Sequence, residues 1–547
     1  MKMTMKKIFA LALGLSLIFS ISACKDKDFD EKFADPSKTS TVSCDKLFSG
    51  AMFVGSATYK GFAYPTYWRL YTWEGTIAQF TQQVGFTNES GSVYYLSDSW
   101  ATDRWNNFYE ILAQFRLMQS TYNKEAEVDQ EGDRIFVDLT EVFVYDHLAQ
   151  LVDAFGPVPF TEAGYLGITG NYATSFPKYD SDEALYEMMI DRLGELYTDI
   201  KGYIENPVTI ANAKLKVQDF LNGGSLDKWL RYANSLRLRL AVHVAAKGSL
   251  VAKAKAAIAE CAQRELVTNL ENGIFGPTGN DMASGGHYYE WYRDGFAGDG
   301  KNFTASQTVI DAMMVTGAIE DPRLAIFYHP NAAGAYVGKS VEETKAEQME
   351  NDTKTWKERA YATLDSVTFV ANGNMKAPIF TPAEAFFLLA EARQAYGLAG
   401  SAEEAFKEGV KQSIIEWYDR NMTSTPLGNM STGTQQKAAE APSASDCMAY
   451  ATMLWESSND KLETIMTQKW LHFSLINAHE SWTDIRRTGY PALTYRPDTQ
   501  SQQNRTIIQR ILYPIVEKNN NAANYNAAVA DFEDSNDHVL FWATKLQ

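Results

Sequence analysis

The stretch LDKWLRYANSLRLRLA, residues 226–241, carries a helical pattern of apolar residues. These residues recur at three- and four-residue spacing, which places them on one face of a helix. We interpret that face as core; it comprises Trp229, Leu230, Ala233, Leu236 and Leu240. The run follows Gly223-Gly224-Ser225, and a serine at such a position caps the unpaired N–H groups of a helix start. The pattern therefore predicts a helix over 226–247 that begins at Ser225.

The same periodicity recurs along much of the chain. It predicts helices over 66–83, 105–121, 133–154, 181–204, 381–398, 402–419, 446–457 and 460–478. Thr381, with Glu384 three residues later, has the spacing of a capping box. An enzyme built on a parallel sheet would show strands alternating with helices, and the sequence lacks that pattern. The predicted fold class is therefore mostly α.

The predicted helices fall into two groups, at about 105–250 and 381–480. Between the groups, about 262–380 is rich in Gly, Asn and aromatic residues and has only short periodic pieces. Residues 84–104 and 421–445 have the composition of loops. Several helix pairs with short connections suggest a helical repeat scaffold, although they share no repeat signature. We predict a single large domain over residues 46–547.

The N-terminus has the features of a secretion signal. Three lysines precede an apolar run, residues 8–21, that is too short to favour a membrane-spanning helix. Small residues before Cys24 resemble a bacterial lipobox, which implies cleavage before Cys24 and lipidation of its thiol. The alternative is an ordinary signal peptide followed by an accidental cysteine. We predict a lipoprotein signal peptide at 1–23 and a lipidated tether at 24–45.

The tether begins with the acidic run KDKDFDE, residues 25–31. This run resembles the surface-export signal of Bacteroidetes lipoproteins, and it is equally the composition of a solvated charged tether. The whole chain has 50 Lys and Arg against 68 Asp and Glu, a net charge of −18. Loss of residues 1–23, with three Lys and no acid, changes the balance to −21. Nucleic acid is excluded as a partner because binding phosphates requires clustered positive charge.

Composition indicates an ordinary globular chain with a large core, because 45% of the residues are hydrophobic and 22% are charged. The 29 Tyr, 29 Phe and 12 Trp make up 13% of the chain. A core takes many such rings, so only their positions indicate a binding site. Apart from Cys24, the cysteines are Cys44, Cys261 and Cys447, an odd number without CxxC spacing. They support neither a disulfide framework nor a structural zinc site.

Five segments in a fixed order point to a known family. They are DAFGPVPF at 153–160; LDKWLRYANSLRLRLA at 226–241; AFFLLAEA at 385–392; QKW at 468–470 with WTDIRRTGYP at 482–491; and RILYP at 510–514 with Glu517 and Asn520. In this order and spacing, behind a lipobox and an acidic tether, they resemble the SusD/RagB family of surface glycan-binding lipoproteins. The resemblance covers the mature chain nearly end to end.

This resemblance implies a scaffold of tetratricopeptide-like helix pairs with extensive irregular loops over them. It implies a non-catalytic protein that is lipid-anchored in the outer membrane at the cell surface. We identify no cofactor or metal site in the sequence. The resemblance also implies that the protein binds an oligosaccharide and delivers it to a SusC-like TonB-dependent outer-membrane transporter. The pattern of motifs suggests a host mucin-type or N-linked glycan. Binding of a peptide or another nutrient on the same scaffold is the alternative.

The most diagnostic residues also have a structural interpretation. Arg486 and Arg487, near Asp484, are expected to satisfy buried carboxylates or carbonyls.

Carbohydrate recognition needs exposed aromatic rings for the C–H faces of sugars and polar groups for their hydroxyls. Two aromatic segments without helical pattern meet this need, and family ligand sites are built from the corresponding regions. The candidate ligand-binding residues are Tyr94, Tyr95, Trp100, His287, Tyr288, Tyr289, Trp291, Tyr292 and Asn302. The alternative is that some of these rings anchor loops to the scaffold. A further aromatic cluster at 64–73 has helical spacing, which favours core.

Catalytic patterns are weak. Ser225 and Lys228 match SxxK, and Arg487-Thr488-Gly489 weakly resembles a KTG box, but Ser225 is better explained as a helix cap. No pair among the 68 carboxylates stands out for glycoside hydrolysis, so a hydrolase is the less favoured hypothesis. His472 and His479 lie on a predicted helix without a carboxylate at ligand spacing, which favours packing or capping over metal binding.

Overall fold

The computed structural model describes residues 42–54, 62–86, 96–278, 303–314, 320–343, 360–426, 435–495 and 507–544. The chain divides into two units, Met1–Ser43 and Cys44–Gln547. The helices and strands described below all lie in the second unit. Helices dominate the described residues, so the predicted mostly α fold is confirmed.

The N-terminal group of helices extends to Cys261. Its members are α1 Cys44–Val54, a π-helix Trp68–Gly75, α2 Thr76–Phe80, α3 Asp98–Tyr122, α4 Glu127–Phe155, α5 Leu166–Thr169, a 3₁₀ turn Tyr172–Thr174, α6 Asp182–Glu205, α7 Thr209–Gln218, α8 Leu226–His243 and α9 Val251–Cys261. Consecutive long helices pack as neighbours: α3 against α4, α4 against α6, and α6 against α8. This arrangement is the helix-pair scaffold that the short connections suggested.

Serine caps set the starts of several of these helices. The Oγ atoms of Ser97, Ser181 and Ser225 each accept a hydrogen bond from the backbone N–H three residues on, at 3.2–3.3 Å. The predicted cap at Ser225 is therefore confirmed. The prediction of a loop through residue 104 is wrong, because α3 already begins at Asp98. The missed signal is Ser97, which starts the helix seven residues before the predicted position.

The C-terminal group of helices follows the last strand. Its members are α12 Pro382–Ala395, α13 Ala402–Met422, α14 Ala444–Ser457, α15 Lys461–Phe473, a 3₁₀ turn Ser474–Ile476, α16 Ala478–Thr488, α17 Ile515–Asn520 and α18 Ala522–Ala528. Thr381 caps α12 by accepting from the N–H of Glu384 at 3.2 Å. The predicted reciprocal half of a capping box is not formed, because the Glu384 carboxylate instead pairs with Arg239.

The middle segment contains short strands and short helices, as its composition predicted. They are a 3₁₀ turn Leu270–Asn272, β2 Ile274–Thr278, β3 Phe303–Thr304, α10 Gln307–Met313, α11 Leu324–Phe327, β4 Tyr328–His329, β5 Thr363–Leu364, a π-helical turn Ser366–Val370 and β6 Lys376–Phe380. With β1, Gly85–Phe86, four of the strands form a sheet in the order β1-β3-β5-β4, and β2 pairs antiparallel with β6. Through its pairing with β3, the strand β1 connects the N-terminal helical group to the middle segment.

The apolar face of α8 lies in the core, as predicted. Its five residues are at most 4% exposed: Trp229, Leu230, Ala233, Leu236 and Leu240. Within the described ranges, no helix is long and apolar enough to cross a membrane.

The two predicted structural arginines lie in α16 and are almost fully buried. Arg486 donates through Nη1 to the carbonyls of Asp153 and Gln509, each at 2.7 Å. Arg487 pairs with the carboxylates of Glu391, at 2.8 Å, and Asp484, at 2.7 Å. The prediction that these residues satisfy buried carbonyls and carboxylates is confirmed.

Candidate functional site

Four half-buried aromatic rings form a contiguous surface, which we call the aromatic platform: Tyr67, Trp68, Tyr71 and Trp100. Tyr71 lies at its centre. The Tyr71 ring stacks on Tyr67, with centroids 5.2 Å apart and planes 24° apart, and meets Trp100 edge-on at 5.9 Å. Tyr67 meets Trp68 edge-on at 5.6 Å. Since such pairs are favourable beyond the area they bury, the rings hold one another in place.

The local sequence explains why three of these rings share a surface. Tyr67 and Trp68 are neighbours at the start of the π-helix, and Tyr71 follows about one helical turn later. The helical spacing of the cluster at 64–73 favoured core for all of it. That interpretation holds for Tyr64 and Trp73, which are 1% and 2% exposed. Tyr67, Trp68 and Tyr71 are only half-buried, and Trp68 and Tyr71 pack against the edge of the core. The core interpretation therefore holds for them in part, and π-helical turns are frequent at functional sites.

A buried ionic pair fixes this helix from behind. Glu74 accepts from the Nδ1 of His479 at 2.8 Å and from the backbone N–H of His479 at 3.1 Å. Arg69, one turn earlier, donates to the carbonyls of Ala63 at 3.1 Å and Pro378 at 2.8 Å. The helix is thereby tied to the turn before it and to two distant segments, so the rings on its outer side stand on a rigid base.

Phe303 supports the platform from the strand side. Its ring lies 5.6 Å from that of Tyr71 and packs against Gly75. A Cβ at Gly75 would lie 2.6 Å from the Phe303 Cζ, so this close approach requires glycine. Phe303 also pairs with Phe86 in the antiparallel ladder of β1 and β3. The strands β1 and β3 thus bring the segment after the π-helix against the start of the middle segment, next to the platform.

Of the predicted ligand-binding residues, the structure places Trp100 in the platform. The backbone N–H of Trp100 donates to Ser97 Oγ, so the capped start of α3 positions the Trp100 ring. The other eight lie outside the described residues: Tyr94, Tyr95, His287, Tyr288, Tyr289, Trp291, Tyr292 and Asn302. Cys24 also lies outside them.

The predicted alternatives to a binding site have structural explanations. Ser225 is a helix cap, and Arg487 is in a buried ion pair. His472 lies between the hydroxyls of Thr381, at 2.7 Å, and Ser413, at 3.1 Å. His479 contacts Glu74, as described above. Both histidines thus have packing and hydrogen-bonding roles, as their spacing indicated.

Within the described residues, one cluster has side chains of metal-ligand type, namely Cys44, Glu125 and Asp133. The Cys44 thiol lies 3.4 Å from the Glu125 Oε1 and donates to it, while Lys214 pairs with Asp133 at 3.3 Å. Burial raises the pKa of the Cys44 thiol above its ordinary value, so the thiol stays protonated. All three side chains have partners within the protein, and we interpret the cluster as a hydrogen-bonded structural group.

A family model described as "Starch-binding associating with outer membrane" matches residues 48–514. The chain belongs to the SusD-like family. No curated protein sequence matches the chain.

Solved structures of SusD-like proteins share the fold. A SusD-like protein from Bacteroides thetaiotaomicron is 24% identical, with a TM-score of 0.67 over 92% of this chain and 99% of that one. A SusD homologue from Parabacteroides distasonis is 19% identical, with a TM-score of 0.69 over 92% and 98%. A protein described as chitin-binding is 21% identical, with a TM-score of 0.68 over 91% and 99%. At these identities the likeness shows the shared architecture.

The ion pair behind the platform predicts a pH dependence of stability. Burial by itself lowers the pKa of His479, but the charge of Glu74 and hydrogen bonds to Glu480 and Glu74 raise it from 6.5 to about 9. Because the folded-state pKa is the higher one, the stabilisation is complete below pH 6.5 and is lost as the pH rises towards 9. We expect urea unfolding at pH 6, 7.5 and 9.5 to show that the free energy of unfolding falls as the pH rises. The contribution of His479 to this fall is up to about 3 kcal/mol.

The control is His479→Gln, which removes the titrating group. His243, whose pKa is also raised, remains in both proteins, so the difference in slope isolates His479. Equal slopes of unfolding free energy against pH in the two proteins would contradict the assignment.

Proposed function

We propose that the protein is a non-catalytic binding protein that holds an oligosaccharide on the aromatic platform at the cell surface. The observation that carries this proposal is the set of four half-buried rings, which are fixed by a buried ion pair within a SusD-like fold. Half-exposed rings cover the C–H faces of sugars, and a rigid base lowers the entropy cost of binding.

The comparisons support a carbohydrate as the ligand. The family description names starch binding and association with the outer membrane, and one structural relative is described as chitin-binding. The platform is built of aromatic rings, and the chain as a whole carries a net charge of −18. These properties favour a neutral glycan at the platform over a polyanion, for which the chain's charge is unfavourable. A host mucin-type or N-linked glycan remains part of the proposal.

We further propose that Cys24 carries a lipid anchor and that the protein delivers its ligand to a SusC-like TonB-dependent transporter. The sequence before Cys24 and the family's association with the outer membrane support this step. Two acyl chains supply stable anchoring, whereas a protein without them is released.

Replacement of Trp68 and Tyr71 by Ala is expected to abolish most glycan binding. The two rings form part of one stacked surface, so their loss should weaken binding at least about tenfold, or about 1.4 kcal/mol. Binding is measured by calorimetry with the mature protein and maltoheptaose, chitohexaose and the best ligand from a glycan array. The matched control is Tyr172→Ala, because Tyr172 is 75% exposed and lies outside the platform.

Two results would contradict the proposal. Unchanged glycan affinity in the double variant would remove the platform as the site. Binding of oligopeptides in competition with the glycan, or release of new reducing ends from it, would point respectively to peptide uptake or to hydrolysis.

The anchor is tested with Cys24→Ala in the host bacterium. We expect the wild-type chain in the outer-membrane fraction and co-purifying with a TonB-dependent transporter, and the variant in soluble fractions. Equal membrane fractions for the two proteins would exclude lipidation at Cys24 as the anchor.

A further inference from the structure

A cavity lies beside the C-terminal half of α3, away from the platform. Its volume is about 520 Å³, and its walls come from α3, the start of α4 and the segment around α5. It shares no residue with the aromatic platform. Its charged side chains are Arg116, Lys124, Arg134 and Glu141.

Arg116 is the decisive side chain because its charge has no carboxylate partner in the described part of the chain. The residue is 7% exposed. Its guanidinium donates to the carbonyls of Ala163, at 3.3 Å, and Phe160, at 2.9 Å, and to the side-chain oxygen of Gln119, at 2.9 Å. All three acceptors are neutral. A guanidinium has five N–H donors, and these three bonds use one on each of its nitrogens, which leaves one on Nη1 and one on Nη2.

Aromatic rings hold this guanidinium in position. It lies 4.9 Å from the ring centroid of Phe160 and 5.0 Å from that of Tyr165. Burial lowers the pKa of Arg116 from its ordinary value, which is the expected effect where no acid compensates the charge fully. Arg239 and Arg487 pair with carboxylates, whereas Arg116, like Arg486, is held by carbonyl groups.

Three of the four charged side chains that line the cavity are cations. Arg134 is neutralised by Asp138, with Nε 3.0 Å from Oδ1. The Glu141 carboxylate is engaged by Arg192, at 3.1 Å, and by the hydroxyl of Tyr145, at 2.6 Å. Lys124 is exposed and has no ion-pair partner among the described residues. Two uncompensated cations therefore line a cavity in a chain whose net charge is −18.

We propose that this cavity binds a single acidic sugar unit, with its carboxylate against Arg116 and Lys124. The planar fork of arginine matches a carboxylate. Gln119, Ser120 and Asn123 also line the cavity and supply hydrogen-bonding groups for ring hydroxyls. Tyr165 and Ile168 give an apolar wall for the ring face, which an inorganic ion would leave without a partner. The inference is independent of the proposed function, because the two sites have no residue in common.

The test compares sodium D-glucuronate with D-glucose, which differ at one carbon, by calorimetry on the mature protein at low ionic strength. We expect glucuronate to bind at least about tenfold more tightly than glucose. Lys124→Gln should weaken glucuronate about two- to fivefold, as for an exposed ion pair. Lys255→Gln is the matched control, because Lys255 is exposed on α9 and does not line the cavity; it should change nothing.

Arg116→Lys keeps the charge but loses the fork, so it should weaken glucuronate at least about tenfold. Because Arg116 is buried, its variant is used only if thermal unfolding shows it folded; Lys124→Gln tests the site in either case. The double variant of Trp68 and Tyr71 should retain full glucuronate affinity.

Four results would overturn the proposal. They are equal binding of glucose and glucuronate, sulfate binding as tight as glucuronate, unchanged affinity in Lys124→Gln, and loss of glucuronate binding in the platform variant. The last would place the acidic sugar on the platform.

Discussion

The guanidinium of Arg239 connects the two helical groups of the molecule. From α8 it donates to Glu384 on α12 at 2.8 Å and to Asp146 on α4 at 3.2 Å, and it lies 3.6 Å from Glu480 on α16. Burial alone would lower its pKa, but Glu384 and Glu480 raise it above its ordinary value. Since an unpaired buried charge is very costly, the four helices are held in one relative arrangement.

The same set of charges reaches the candidate site. Glu480 adjoins His479 in sequence, and His479 bonds to Glu74 on the helix that carries the platform. The position of the aromatic rings therefore depends on charges in the interior as well as on their own stacking. Buried ionic groups are weak evidence for stability, yet they specify which partners meet. In this protein they specify where the aromatic platform, the proposed ligand surface, is placed on a helical scaffold.

The sequence predicted the family, the mostly α class and the position of most helices, because amphipathic periodicity and serine caps are local signals. It placed the start of α3 seven residues late by overlooking Ser97. It interpreted Thr381 and Glu384 as a reciprocal cap, because Arg239, the true partner of Glu384, is 145 residues away in the chain. For the same reason it favoured core for Tyr67, Trp68 and Tyr71: spacing shows which residues share a face, and only tertiary packing decides what covers it.

The central claim is that a glycan binds on rings held by this buried network. A crystal structure of the mature protein with a bound oligosaccharide tests it most directly. The account predicts a sugar ring over Tyr71 or Trp68, at the separation of about 4.5–7 Å at which stacked rings contact. Its hydroxyls should face away from the platform, and the contact between Glu74 and His479 should be unchanged. An oligosaccharide bound at another surface, with the four platform rings free of ligand, would contradict the account.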